Sequence, residues 1–159
     1  HPYRPRLARP HAGPVQRRCL VLRRAPPGRR LPGLSTMRIL YVEDNCELRE
    51  SIGMLMEGEG RSVTACATAE EAIELDAADP FDLVVTDVSL PGMSGTDLCR
   101  KLLSTDPDRW IVLCSGYQFQ HGLQALGPHV RSLLKPFELE ELEALLASVQ
   151  VQLAGPSLA

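Results

Sequence analysis

Phe81-Asp82-Leu83-Val84-Val85-Thr86-Asp87-Val88-Ser89-Leu90-Pro91-Gly92 is the stretch on which the fold turns. Its apolar run, β-branched at Val84, Val85 and Thr86, has the pattern of a strand buried on both faces. The strand ends on one carboxylate, Asp87, just before a Pro-Gly turn. Open α/β sheets place their ligand sites at the carboxyl ends of such strands, so Asp87 is a candidate nucleophile, metal ligand or both. From this stretch alone, a turn or helix cap accounts for the aspartate equally well.

Upstream, Arg38-Ile39-Leu40-Tyr41-Val42 forms another buried strand and ends at Glu43-Asp44. Leu48, Ile52, Leu55 and Met56 then recur at helical spacing until Gly58 and Gly60 stop them. Ser62-Val63-Thr64-Ala65-Cys66 is a short second strand, and Thr68 with Glu71 makes a capping box that opens a helix through Ile73 and Leu75 to Asp79-Pro80. Downstream of Asp87, Ser94 with Asp97 makes a second capping box, and Leu98, Leu102 and Leu103 give its helix an apolar face. Trp110-Ile111-Val112-Leu113-Cys114 is strand four, ending on Ser115-Gly116. Segment 117–127 is weakly helical, with Leu123 and Leu126 but also Gly122, and is expected to form a short, mobile helix. Residues 130–134 are strand five, ending on Lys135-Pro136. The last helix carries Leu139, Leu142, Leu146, Val149 and Leu153 on one stripe, with Glu138, Glu140, Glu141 and Glu143 near its start, where the helix dipole favours negative charge.

Five strands alternating with five helices specify an α/β fold: a doubly wound, flavodoxin-like (βα)5 sheet of five parallel strands in the order 2-1-3-4-5. Neither GxGxxG nor GxxxxGK[ST] follows strand one, so a dinucleotide or P-loop site loses its main support.

The 159 residues allow one domain of ordinary size, and 44% hydrophobic composition is enough for a core. No stretch approaches the roughly 20 apolar residues that span a bilayer. Membrane insertion is not expected, and the expected location is the cytoplasm. Five cysteines, Cys19, Cys46, Cys66, Cys99 and Cys114, lack CxxC spacing and are expected to be small buried hydrophobes of a reducing compartment.

The net charge of −3 hides an asymmetry. Residues 1–36 hold nine Arg, seven of the thirteen Pro, and neither Lys nor acidic side chains; residues 37–159 hold eight Lys plus Arg against all twenty acidic residues. The first segment cannot bury enough apolar surface to order itself, so 1–36 is expected to be a disordered extension outside the natural fold, with the folded domain at 37–155. A basic arm for nucleic acid is the competing idea, and it is the weaker one. His1, His11, His121 and His129 show no ligand spacing and are assigned no role.

Parallel strands share one direction, so Glu43 and Asp44, Asp87, Ser115 and Lys135 gather on one edge of the sheet. Three carboxylates so placed repel unless a cation sits among them, and hard oxygen ligands with room for water suit Mg2+. Lys135 adds a positive charge and Ser115 a hydroxyl, the groups that hold a phosphoryl group. Together they describe phosphoryl transfer onto Asp87.

From Met37 to about Leu153 the chain resembles the receiver domain of two-component response regulators. The resemblance rests on Tyr41-Val42-Glu43-Asp44-Asn45, Val84-Val85-Thr86-Asp87-Val88-Ser89-Leu90-Pro91-Gly92-Met93-Ser94-Gly95, Cys114-Ser115-Gly116 and Leu134-Lys135-Pro136-Phe137. It implies that Asp87 is the phosphoacceptor and that Glu43 and Asp44 are the acidic pair holding Mg2+. It further implies that the Ser89 backbone carbonyl completes the metal shell, that Ser115 senses the phosphoryl group and that Lys135 is the family's lysine. The family's usual aromatic residue, three positions before that lysine, is Ser132 here, so the output is expected to run through segment 117–127 instead.

The function expected on this resemblance is a phosphorylation-controlled switch. It would receive its phosphoryl group from a sensor histidine kinase or a histidine-phosphotransfer protein and signal by contact with a downstream protein. It is not an enzyme in the ordinary sense, although it assists its own phosphorylation and dephosphorylation. Alternatives are a receiver module cut from a larger hybrid kinase or DNA-binding regulator, and an aspartyl-nucleophile phosphatase, whose D-x-D on a first strand is not matched by Asp87-Val88-Ser89 on the third. Nucleic acid is not expected as a partner. The stripe of the last helix is expected to pack on the sheet, with a homodimer face as its alternative use.

Overall fold

A computed structural model describes residues 36–118 and 125–155. Five strands, β1 (Met37–Val42), β2 (Arg61–Cys66), β3 (Leu83–Asp87), β4 (Trp110–Ser115) and β5 (Val130–Leu134), form one sheet in the order β2-β1-β3-β4-β5. Every pairing is parallel. The described residues contain four helices: α1 (Cys46–Met56), α2 (Ala69–Ala78), α3 (Gly95–Thr105) and α4 (Leu139–Ala154). The fifth helix expected in segment 117–127 falls largely on residues 119–124, outside the described residues, as does the basic segment 1–35.

Strand side chains alternate between faces, and that alternation sorts the core into two layers. Ile39, Tyr41, Leu83, Val85 and Val112 face α1 and α4, meeting Met56, Leu142, Leu146 and Val149. Leu40, Val42, Val84, Ile111 and Leu113 face α2 and α3, meeting Ala72, Leu98, Cys99 and Leu102. Both faces are therefore covered, which is why the inner strands β1, β3 and β4 are near-continuous apolar runs.

The helices start where their caps dictate. The Thr68 hydroxyl accepts the Glu71 N–H at 3.1 Å, and the Ser94 hydroxyl accepts the Asp97 N–H at 3.1 Å. Asn45 caps α1 by accepting the Leu48 N–H at 3.1 Å. Each such bond satisfies one of the orphan donors of a first helical turn.

Several expectations need correction. In α1 only Ile52 and Met56 of the expected stripe pack inward, whereas Leu48 and Leu55 are exposed, because the helix presents its buried Gly53 and Met56 to the layer it shares with α4. The α4 stripe likewise narrows to Leu142, Leu146 and Val149, with Leu139 and Leu153 exposed at its ends. In α2, in keeping with its sequence pattern, the half-buried Ile73 and Leu75 pack against the layer that holds the buried Ala69 and Ala72, and Asp76 is buried as well. Of the cysteines, Cys66, Cys99 and Cys114 are free and buried. Cys46 is half-buried at the start of α1 and disulfide-bonded, and Cys19 lies outside the described residues.

Asp76 is buried because it has a partner. Arg109, at the entrance to β4, grips it through two bonds of 2.9 and 2.6 Å, and Asp76 Oδ1 also accepts the Phe81 N–H at 3.0 Å. Both side chains are 10% exposed. The pair ties α2 to β4 at the edge of the sheet opposite Asp87. At the same edge His129 stacks on Trp110, with ring centroids 4.3 Å apart. Replacing Asp76 by Ala would leave a buried guanidinium and an orphaned N–H, so Asp76→Ala is expected to cost about 3 kcal/mol in urea unfolding. A loss below about 1 kcal/mol, the value of an exposed pair, would contradict this account.

Candidate functional site

Register alone brings the site residues together. Val42 pairs with Thr86, so Glu43 comes level with Asp87 at the strand ends. Asp87 pairs with Cys114, and Ser115 with Leu134, which places Ser115 and Lys135 one residue further along their own strands. One carboxylate oxygen from each of Glu43, Asp44 and Asp87 lies within 4.8 Å of the others. Lys135 Nζ stands 3.1 Å from Asp87 Oδ2 and 3.6 Å from Glu43 Oε2. The Lys135 N–H is held by the Ser115 carbonyl at 2.7 Å, and the Lys135–Pro136 peptide is cis.

The three carboxylates differ in environment. Glu43 is 3% exposed, Asp87 is half-buried and Asp44 is exposed. Burial pushes the Glu43 carboxyl above its usual range. The Asn45 N–H at 3.2 Å and the Lys135 ammonium pull the other way without reversing it, and the charges of Asp87 and Asp44 add to the rise. For Lys135, burial works to lower the pKa, but the hydrogen bond to Asp87 and the charges of Glu43 and Asp87 outweigh it and hold the ammonium above its ordinary value. Unit charges about 4 Å apart near a protein surface interact by roughly 4 kcal/mol, so the two contacts of Lys135, to Asp87 and Glu43, offset only part of the repulsion among three carboxylate pairs.

This donor set fits Mg2+. It offers hard oxygen ligands on one side of a cluster whose other side, at Asp44, faces water, and a small divalent cation retains several waters. The buried Glu43 distinguishes the cluster from an ordinary acidic surface, because a carboxylate so placed is costly without a cation beside it.

Ser115 is not part of the contact cluster. Its Oγ donates to the Tyr117 carbonyl at 2.7 Å and accepts the Tyr117 N–H at 3.0 Å, so the hydroxyl is closed on the turn that follows β4. Ser89 lies exposed in the loop two residues past Asp87, and Ser132 is exposed on β5. Cys114, paired with Asp87 across the sheet, is a neutral neighbour, since burial pushes its thiol up to about 12.

Three further residues shape the site and carry no role in the sequence reading. A Cβ on Gly95 would overlap the Asp87 carbonyl oxygen, and the Gly95 N–H donates to the Val88 carbonyl at 2.9 Å. Glycine is therefore required for α3 to start this close to the end of β3. Glu70 reaches from α2 to accept the Met93 N–H at 3.1 Å, against Gly92 at φ +75°. Arg49 Nη1 donates to the Glu43 carbonyl at 2.7 Å. Gly95 follows its cap in sequence and was visible as a motif glycine. Nothing local marks Glu70 or Arg49.

A family model, the response regulator receiver domain, matches residues 39–147. The chain belongs to this family. Among relatives of the receiver, it is 36% identical over 121 residues to the two-component response regulator PhoP of Pseudomonas aeruginosa, covering 75% of this chain and 54% of that protein. It is 38% identical over 110 residues to the response regulator MprA of Mycolicibacterium vanbaalenii, covering 68% of this chain and 48% of that one. The chain thus spans about half the length of these curated relatives. Among solved structures, the response regulator TrrA of Thermotoga maritima, in complex with Mg2+ and BeF, superimposes with a TM-score of 0.64 at 25% identity, covering 72% of this chain and 99% of that one. Among the described residues of this receiver, no helix is long and apolar enough to cross a membrane.

The raised pKa of Glu43 has a consequence for stability. A carboxyl whose folded pKa exceeds its unfolded value favours the fold below the unfolded pKa, and that contribution is lost as pH rises through the folded pKa. At neutral pH and without divalent metal, ionised Glu43 therefore opposes folding. Glu43→Gln keeps an acceptor for the Asn45 N–H and removes the buried charge. Its metal-free urea midpoint is expected to equal or exceed that of the wild type at pH 7, with the difference shrinking toward pH 4. A lower midpoint at pH 7 would contradict the electrostatic account.

Proposed function

We propose that this receiver is a phosphorylation-controlled signalling switch whose phosphoacceptor is Asp87. The observation that carries the reading is the arrangement around that side chain: Lys135 Nζ at 3.1 Å from its carboxylate, inside a cluster with the buried Glu43 and with Asp44. Receivers as a family are signalling switches rather than classical enzymes, and this donor set supports the same use here.

In the proposed reaction an Asp87 oxygen attacks the phosphorus of a phosphohistidine in line with the P–N bond. The P–O bond forms as the P–N bond breaks, and the electron pair returns to the imidazole. Lys135 stabilises the charge that develops on the transferred oxygens, and positioning supplies most of the remaining catalysis. Mg2+, held by Glu43, Asp44, Asp87 and the Ser89 carbonyl, would screen the carboxylates from the incoming phosphoryl group. The donor is a sensor histidine kinase or a histidine-phosphotransfer protein. An apolar groove of about 360 Å3 lined by Leu48, Ile52, Pro136 and Phe137 opens beside Lys135 and gives such a donor a contact next to the site.

The acyl phosphate adds close to two negative charges. Ser115 answers it by exchanging its bonds to Tyr117 for one to the phosphoryl group, which opens the turn after β4 and couples Asp87 to residues beyond 117. Hydrolysis resets the switch. Folded output is by protein contact, and the proposed domain comprises residues 37–155. A second reading is favoured by the length of PhoP and MprA, about twice the matched span: the receiver controls an attached output domain, which sequencing the gene past the codon for Ala159 decides.

Acetyl phosphate with Mg2+ tests the chemistry directly. Intact mass is expected to show an adduct of about 80 Da, one phosphoryl group, on the wild type and none on Asp87→Asn. Wild type without the adduct, or an equally labelled Asp87→Asn, would overturn the assignment.

A further inference from the structure

Arg49 sits in the first turn of α1, where its backbone N–H bonds to the Asn45 carbonyl at 2.8 Å. Its side chain turns back toward the end of β1, and Nη1 donates to two successive carbonyls, that of Glu43 at 2.7 Å and, more weakly, that of Asp44 at 3.4 Å. These two residues carry two of the three clustered carboxylates. The rest of the same turn is pinned from other directions: the Glu43 N–H by the Cys66 carbonyl of β2 at 3.0 Å, and the Asn45 N–H by Glu43 Oε1 at 3.2 Å. Glu43 and Asp44 lie past the last paired residue of β1, so the sheet ladder no longer fixes their carbonyls. Arg49 takes that task.

We propose that Arg49 is a positioning residue for the acidic pair, holding the backbone of Glu43 and Asp44 so that both carboxylates meet Asp87 in the arrangement that takes a divalent cation. This inference rests on the reading of Glu43, Asp44 and Asp87 as a Mg2+ site.

Two effects of opposite sign make it testable. The guanidinium is itself a cation, held against the backbone of two of the three clustered acids. If charge were its whole contribution, removing it would relieve repulsion and tighten Mg2+ binding. If Arg49 positions the ligands, removing it loosens binding despite the relieved repulsion. Loss of groups that orient metal ligands typically weakens metal affinity about 10- to 100-fold. Lysine keeps the charge, but its ammonium sits on a shorter flexible stem and lacks the rigid guanidinium plane that holds Nη1 within reach of both carbonyls.

The test is Mg2+ titration of the full chain, followed by backbone amide shifts, for wild type, Arg49→Lys and Arg49→Met, with urea unfolding run alongside. Positioning predicts that Arg49→Met raises the Kd about tenfold or more, with Arg49→Lys between it and the wild type. A Kd that falls in Arg49→Met, or that stays unchanged in both variants while only the urea midpoint drops, overturns the proposal. Should Arg49→Met fail to fold, Arg49→Gln and Arg49→Lys carry the same comparison. A wild type that gives no saturable response at residues 43, 44 and 87 overturns the metal reading itself. In that event Arg49 is judged by the carbonyl 13C shifts of Glu43 and Asp44 in metal-free protein, which move in Arg49→Met if it holds them and stay in place if it does not.

Discussion

The repulsion among Glu43, Asp44 and Asp87 is the constraint to which the upper edge of this sheet answers. Three carboxylates within 4.8 Å, one of them 3% exposed, are assembled against electrostatics and are only partly offset by Lys135. A chain selected for stability alone would not keep them. Burial raises the pKa of Glu43, while the carboxylate neighbours raise that of Lys135 and hold it as a cation, so a costly buried carboxylate and a fixed positive charge stand side by side. These are the groups the proposed phosphoryl transfer would use: a carboxylate nucleophile and a fixed positive charge beside it.

The fold supplies the placement cheaply. Parallel strands with level ends put Glu43 beside Asp87 and bring Ser115 one register position and Lys135 two beyond it, so no long loop has to be ordered to build the site. Close backbone fits then remove slack. Gly95 lets α3 begin against the Asp87 carbonyl, Glu70 ties the β3–α3 loop to α2, and Arg49 fastens the turn after β1. The opposite edge is built differently, around the buried Asp76–Arg109 pair and the Trp110–His129 stack, and it serves stability.

The strand order followed from the alternation of strands and helices, which selects a doubly wound parallel sheet. Strand ends and the starts of α2 and α3 were legible in the sequence because each depends on a local pattern: β-branched apolar runs, a Thr or Ser three residues before an acidic one, a Pro-Gly turn. So was the gathering of Glu43, Asp44, Asp87 and Lys135, since strand direction alone brings them to one edge. What sequence could not show depends on contacts between distant segments. Asp76 and Arg109 are 33 residues apart and look like surface charges. Leu48 and Leu55 have helical spacing, but how far α1 is covered depends on where α4 lies. The Ser115 hydroxyl sits beside the site in sequence terms, yet in this conformation the Tyr117 backbone holds it. For the proposed switch that difference matters, because a hydroxyl held by the Tyr117 backbone has bonds to exchange.

The central claim is that the cluster around Asp87 is completed by a divalent cation. Backbone amide spectra recorded during Mg2+ titration of the wild type test it most directly. The account predicts saturable, one-to-one shifts concentrated at residues 43–45, 87–89, 115 and 135, with the Asp76–Arg109 edge unmoved. Shifts that are absent, unsaturable or spread evenly over the acidic surface, including α4, would contradict it.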